Sequence, residues 1–144
     1  LSTDVLDALL VSLVDPREQR IFPKVVSGYK RFLRSGLMTW FEPPMRHYPL
    51  GPITVRVVPE VGLLIDGRPH AIKLYFRGDP LSPQRAMVTN ELLAGAFSAT
   101  WPGTVCAVLD VRRGRLYPHR PKREIGHLLR AEAACFSSLW AALG

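Results

Sequence analysis

Glu60 and Lys73 are the residues whose types and placement first suggest chemistry. Set side by side, a carboxylate and an ammonium have two uses. They can neutralise each other as a cross-strand ion pair worth a few tenths to about 1 kcal/mol. Alternatively they can divide a task, the carboxylate as oxygen ligand to a hard cation and the ammonium as the positive group beside developing negative charge. The segment that sets them together is Ile53 to Phe76, ITVRVVPEVGLLIDGRPHAIKLYF, with Asp66-Gly67 at its middle. Asp-Gly suits a two-residue type I′ turn, in which both positions take φ > 0. That turn pairs Ile65 with Arg68, Leu63 with His70, Val61 with Ile72 and Glu60 with Lys73. Side chains alternate across a strand. One face then carries Val61, Leu63, Ile65, His70, Ile72, Leu74 and Phe76, a core face. The other carries Glu60, Gly62, Leu64, Ala71, Lys73 and Tyr75. A bulge at Gly62 would shift this register by one.

The flanking elements are read from periodicity and from start and stop signals. Thr3 to Val14 repeats Val5, Leu6, Leu9, Leu10 and Leu13 at helical spacing and is closed by Pro16. A second helix is expected from Pro23 to about Gly36, burying Val25, Val26, Tyr29, Phe32 and Leu33. Its other face carries Lys24, Lys30, Arg31 and Arg34, with no acidic residue between Phe22 and Phe41. Trp40 to Pro52 is dense in proline and aromatics and reads as a stiff connector over the sheet edge. Ile53 to Pro59 alternates as a strand, and Pro59 to Gly62 bends into the next. Ser82-Pro83 opens a helix to about Ala99. Thr104 to Val111 is a nearly continuous apolar run, a strand covered on both faces. Arg113-Gly114 turns into a short strand, Arg115 to Tyr117. Ile125, Leu128, Leu129, Ala133, Phe136, Leu139, Trp140 and Leu143 form the apolar stripe of a C-terminal helix, read as core.

This order predicts one α/β/α layered domain over residues 1–144 with a mixed central sheet. Its parts are N-terminal helices (1–36), the connector (37–52), and the sheet, crossover helix and C-terminal helix (53–144). Hydrophobic content of 47% and charged content of 22% describe a globular chain. No apolar run has membrane-spanning length, so no membrane is expected. Cys106 and Cys135 lie in apolar surroundings without CxxC spacing and read as reduced thiols, which implies a cytoplasmic setting. Nineteen Lys and Arg against twelve Asp and Glu give +7, a balance that favours polyanionic partners. The densest basic cluster runs from Arg112 to Arg123. His70 reads as a packed histidine, and His47, His119 and His127 have no partner at metal-ligand spacing.

The helix–strand–strand–strand–helix–strand core resembles the PD-(D/E)XK nuclease superfamily. Pro59-Glu60 stands where that motif has Pro-Asp, and Ala71-Ile72-Lys73 stands where it has (D/E)XK. The likeness covers roughly residues 22–111. It implies catalytic roles for Glu60, Lys73 and Gln84, with Arg85 beside Gln84 at the helix start. It also implies a weakly held Mg²⁺ on Glu60, assisted by the Ile72 carbonyl. Ala71 departs from the pattern, because a second acid should point at the cation there. Asp66, Asp79 and Asp110 are the candidates to replace it; the turn most easily explains Asp66 and the loop before the helix Asp79, while Asp110, at a strand end, is the candidate taken as a second metal ligand. Lys30, Arg31, Arg34, Arg85, Arg112, Arg113 and Arg115 are the expected nucleic-acid contacts. The implied function is a nucleic-acid-binding or -processing domain with a weakened or lost metal-dependent site. The competing expectation is a non-enzymatic interaction or regulatory subunit on the same fold, as a homodimer or with a protein partner. Convergence of the basic residues with Glu60 and Lys73 on one concave face separates the first from the second.

Overall fold

Asp66 (φ 50°) and Gly67 (φ 78°) form the expected tight turn, and the hairpin zips in the expected register. Ile65 faces Arg68, Leu63 faces His70 and Val61 faces Ile72, with Gly62 opposite Ala71 and no bulge between. The computed structural model describes residues 3–33 and 38–144. Its elements are α1 (Thr3–Ser12), α2 (Pro16–Leu33), β1 (Met38–Phe41), β2 (Arg46–Leu50), β3 (Ile53–Val57), β4 (Val61–Ile65), β5 (Arg68–Tyr75), α3 (Pro83–Phe97), β6 (Val105–Asp110), β7 (Arg115–Pro118) and α4 (Arg123–Leu143). A five-stranded mixed sheet runs β1-β4-β5-β6-β7, with only β5 and β6 parallel; β2 and β3 form a separate two-stranded sheet.

Helices cover both faces of the main sheet. On one, Val25, Tyr29, Phe32 and Leu33 of α2 pack on Leu63, Ile72, Ala107 and Leu109. On the other, Leu93, Ala96 and Phe97 of α3 pack on Cys106 and Val57. The hairpin of β2 and β3 joins α3 and α4 around Leu50, Leu129 and Ala133. Each fully buried large apolar side chain contributes about 1.5–3 kcal/mol. The parallel step from β5 to β6 needs a crossover, and α3 supplies it. Ser82 caps that helix by accepting from the Arg85 N–H at 3.2 Å, with Pro83 as its first residue.

Five expectations are corrected. The second helix begins at Pro16, not Pro23: Asp15 caps it by accepting the Arg17 N–H at 2.7 Å, and Pro23 lies inside on the exposed side. The expected end near Gly36 lies outside the described residues. The stretch 40–52 is no mere connector, because it contributes the end of β1 and all of β2. The first strand of the main-sheet meander is β1, paired with β4, while Ile53–Val57 pairs with β2 instead. Pro49 is compatible with β2, which has a single neighbour and so an unbonded edge. Finally, Phe76 falls past the end of β5 and is 47% exposed, and much of the α4 stripe lies uncovered.

Gly28 fixes how closely α2 approaches the sheet. A Cβ there would sit 1.7 Å from the Val111 carbonyl oxygen, so no other residue fits. This contact sets the basic face of α2 beside the β6–β7 turn.

Candidate functional site

Glu60 sits just before β4 and Lys73 on β5, on the face that α3 covers. The Lys73 ammonium donates to one Glu60 carboxylate oxygen and, at 3.2 Å, to the Val58 carbonyl. The other carboxylate oxygen accepts the Leu74 N–H at 2.9 Å. The Glu60 N–H in turn donates to the Ile72 carbonyl at 3.1 Å. Both side chains keep more than a third of their surface in water.

Asp110, the second expected metal ligand, is fully buried at the end of β6. It accepts the Leu81 N–H at 3.2 Å and pairs with the Arg113 guanidinium at 3.3 Å. Arg113 donates onward to the Gly78 carbonyl at 2.7 Å, and Arg112 donates to the Phe76 carbonyl at 2.8 Å. Asp110 is therefore an anchor for the loop 76–81 after β5. A hard cation needs several oxygen donors converging on one point. Here each Glu60 oxygen already has a donor, Asp110 serves the loop, and the Ile72 carbonyl accepts a backbone N–H. Among the described residues no three or more His, Cys, Asp or Glu come together to hold a metal. The donor set does not fit Mg²⁺.

The basic residues arrange differently. Lys24 and Arg31 of α2 line one groove of about 430 Å³ together with Arg112 and Arg113. A second groove, of about 540 Å³, is lined by Lys73, Arg77, Gln84 and Arg85 over an apolar floor that includes Tyr75, Leu81 and Val108. The loop 76–81 separates the two, contributing Gly78 to the first and Arg77 and Leu81 to the second. Gln84 also borders a third groove of about 450 Å³, where Arg115, Arg120 and Lys122 lie along β7 and the segment after it. Among the described residues no carboxylate lines any of the three. Asp79 stands beside the second, paired with Arg77 at 3.4 Å and Arg85 at 3.2 Å. A backbone hydrogen bond, and then the Tyr75 hydroxyl and these two arginines, hold its carboxyl below the usual range. The first groove lies beyond the carboxyl ends of the parallel strands β5 and β6, the side of open α/β sheets where ligands bind, and the second runs back from there over Lys73 and Val108 within those strands.

Several expected contacts are thus brought together: Arg31, Arg112 and Arg113 in one groove, Arg85 with Lys73 and Gln84 in the next, Arg115 in the third. Lys30 instead lines a smaller groove of about 260 Å³ next to the first, together with Arg31 and with Asp7 of α1, which takes its ammonium at 2.6 Å. Arg34 lies outside the described residues. The Arg115 guanidinium lies 4.9 Å from the centre of the Tyr117 ring, a cation–π contact. Arg77 is a groove residue that sequence reasoning misses; its only signal is an arginine directly after an apolar strand. Comparison with family models, curated proteins and solved structures gives no match.

Proposed function

We propose that this protein is a nucleic-acid-binding domain in which the Glu60–Lys73 pair supports structure and charge, without metal-dependent cleavage. The observation that supports the reading is the basic lining of these grooves. Ten lysines and arginines from α2, β5, the β5–α3 loop, α3, the β6–β7 turn, β7 and the segment before α4 line three adjoining grooves, with no carboxylate among the described lining residues. Most are arginines, whose planar donor forks match phosphate oxygens. Arg112 gives its Nε to the Phe76 carbonyl, and arginine has five donors in all. A repeating polyanion fits a row of such grooves better than one small anion does.

The likeness to PD-(D/E)XK nucleases supports the same reading through the order of strands and the position of Glu60 and Lys73. Ala71 and the commitments of Asp110 weigh against cleavage. The test is binding of labelled single-stranded and duplex oligonucleotides across a salt series, with a cleavage assay in Mg²⁺ and Mn²⁺ alongside. Binding that weakens steeply with salt, without cleavage, is expected. Cleavage abolished by both Glu60→Ala and Lys73→Ala would overturn the second half of the proposal.

A further inference from the structure

The core face of α4 outruns the body of the domain. Leu129 and Ala133 on that face are buried. Phe136, Trp140 and Leu143 continue it at helical spacing, and they are 56%, 71% and 86% exposed. Leu128 and Leu139 flank the same stripe at 50% and 59%, and Phe136 stacks with Trp140 at 6.2 Å. From Ala133 to Gly144 there is no charged side chain. A helix segment this apolar is ordinarily buried against something.

We infer that a second copy of this chain covers it, the two α4 helices packing antiparallel about a two-fold axis beside Phe136. The area agrees. These five side chains expose roughly 600 Å² in each copy, so pairing buries about 1,200 Å², within the range of specific interfaces. The stripe is also self-complementary. Glu132 is its single charged residue, and it lies one helical turn before Phe136 as Trp140 lies one turn after. An antiparallel partner therefore sets the Glu132 carboxylate opposite the indole N–H of the other copy's Trp140, a donor that needs an acceptor when buried. Aromatic pairs meet at the axis, and the helix dipoles oppose. A run without charge asks for no oppositely charged partner. Because α4 spans about 30 Å, its apolar end stands far from Lys122 at the other, and the dimer leaves both sets of basic grooves open.

The experiment is sedimentation velocity on the full chain over a wide concentration range. It is paired with a short bismaleimide that links Cys135, which is exposed beside Phe136, while Cys106 is buried. The expected results are a dimer and a cross-linked dimer. In Trp140→Lys/Leu143→Lys the dissociation constant should rise by at least about 30-fold, the scale of an aromatic hot spot. Leu128→Lys should weaken the dimer as well, and far-UV circular dichroism checks that these exposed substitutions leave the fold intact. A monomer at every concentration would overturn the inference and leave the stripe to another occupant. A dimer indifferent to the substitutions, or one that Cys135 does not cross-link, would place the interface elsewhere and overturn it too. None of these outcomes depends on nucleic-acid binding.

Discussion

At Glu60 one carboxylate oxygen is held by an ammonium and the other by a backbone N–H, so its removal acts on the β4–β5 hairpin before it acts on any ligand. Both partners remain partly solvated, and Glu60→Ala should cost only about 1 kcal/mol in urea denaturation. Asp110 is the opposite case. Its carboxylate is fully buried, and Asp110→Ala leaves the buried Leu81 N–H without its acceptor and removes the carboxylate partner of Arg113, which keeps the Gly78 carbonyl. A loss of about 3 kcal/mol is expected, with the loop 76–81 loosened. A loss of less than about 1 kcal/mol on that scale would show that Asp110 is not the anchor. The thiols divide in the same way. Burial pushes Cys106 up from 9.0 to about 11, whereas Cys135 is exposed. An aromatic disulfide reagent should titrate Cys135 quickly and Cys106 only on unfolding. Because the folded state disfavours the Cys106 thiolate, its contribution to stability is complete below about pH 9 and declines as pH rises to about 11.

At the scale of elements, the hairpin is fully legible because a two-residue turn fixes register by itself, and with it the side-by-side placement of Glu60 and Lys73. The start of α2 is equally available. Asp15-Pro16 is the same cap-and-proline signal as Ser82-Pro83, but a proline that can open one helix can also be read as closing the one before it. The strands β1 and β2 are hidden by composition, since Pro43, Pro44 and Pro49 discourage a strand reading that an edge position permits. The α4 stripe is periodic as expected; periodicity cannot say where the domain beneath it ends. The close approach of α2 to the end of β6 also has no signal in the sequence. Gly28 on α2 lies against Val111, and Gly114 (φ 61°) turns the chain beside it. Gly28→Ala should cost about 3 kcal/mol, since the helix must lift off the β6–β7 turn to admit the methyl group. Thermal unfolding checks this, and an unchanged midpoint would mean that α2 does not sit so close.

Over the whole molecule, the first basic groove depends on that same approach, because it carries Lys24 and Arg31 to Arg112 and Arg113. A sequence shows how many cations a chain has, and here the balance is +7. It does not show which of them share a groove, and the capture of the Lys30 ammonium by Asp7 on another helix is equally hidden from it. Charge contacts to phosphate release counterions, so the logarithm of the affinity falls with the logarithm of salt by about 0.9 per phosphate neutralised on duplex DNA. Lys24, Arg77 and Lys122 each line a different groove and, unlike Arg113, brace no buried carboxylate among the described residues. The measurement that tests the account most directly is therefore the salt dependence of duplex binding for the wild type and for Lys24→Ala/Arg77→Ala/Lys122→Ala. A steep wild-type slope that becomes shallower by about 2.7 in the triple variant is the predicted result. No binding at low salt, or a slope that the three substitutions leave unchanged, would contradict it.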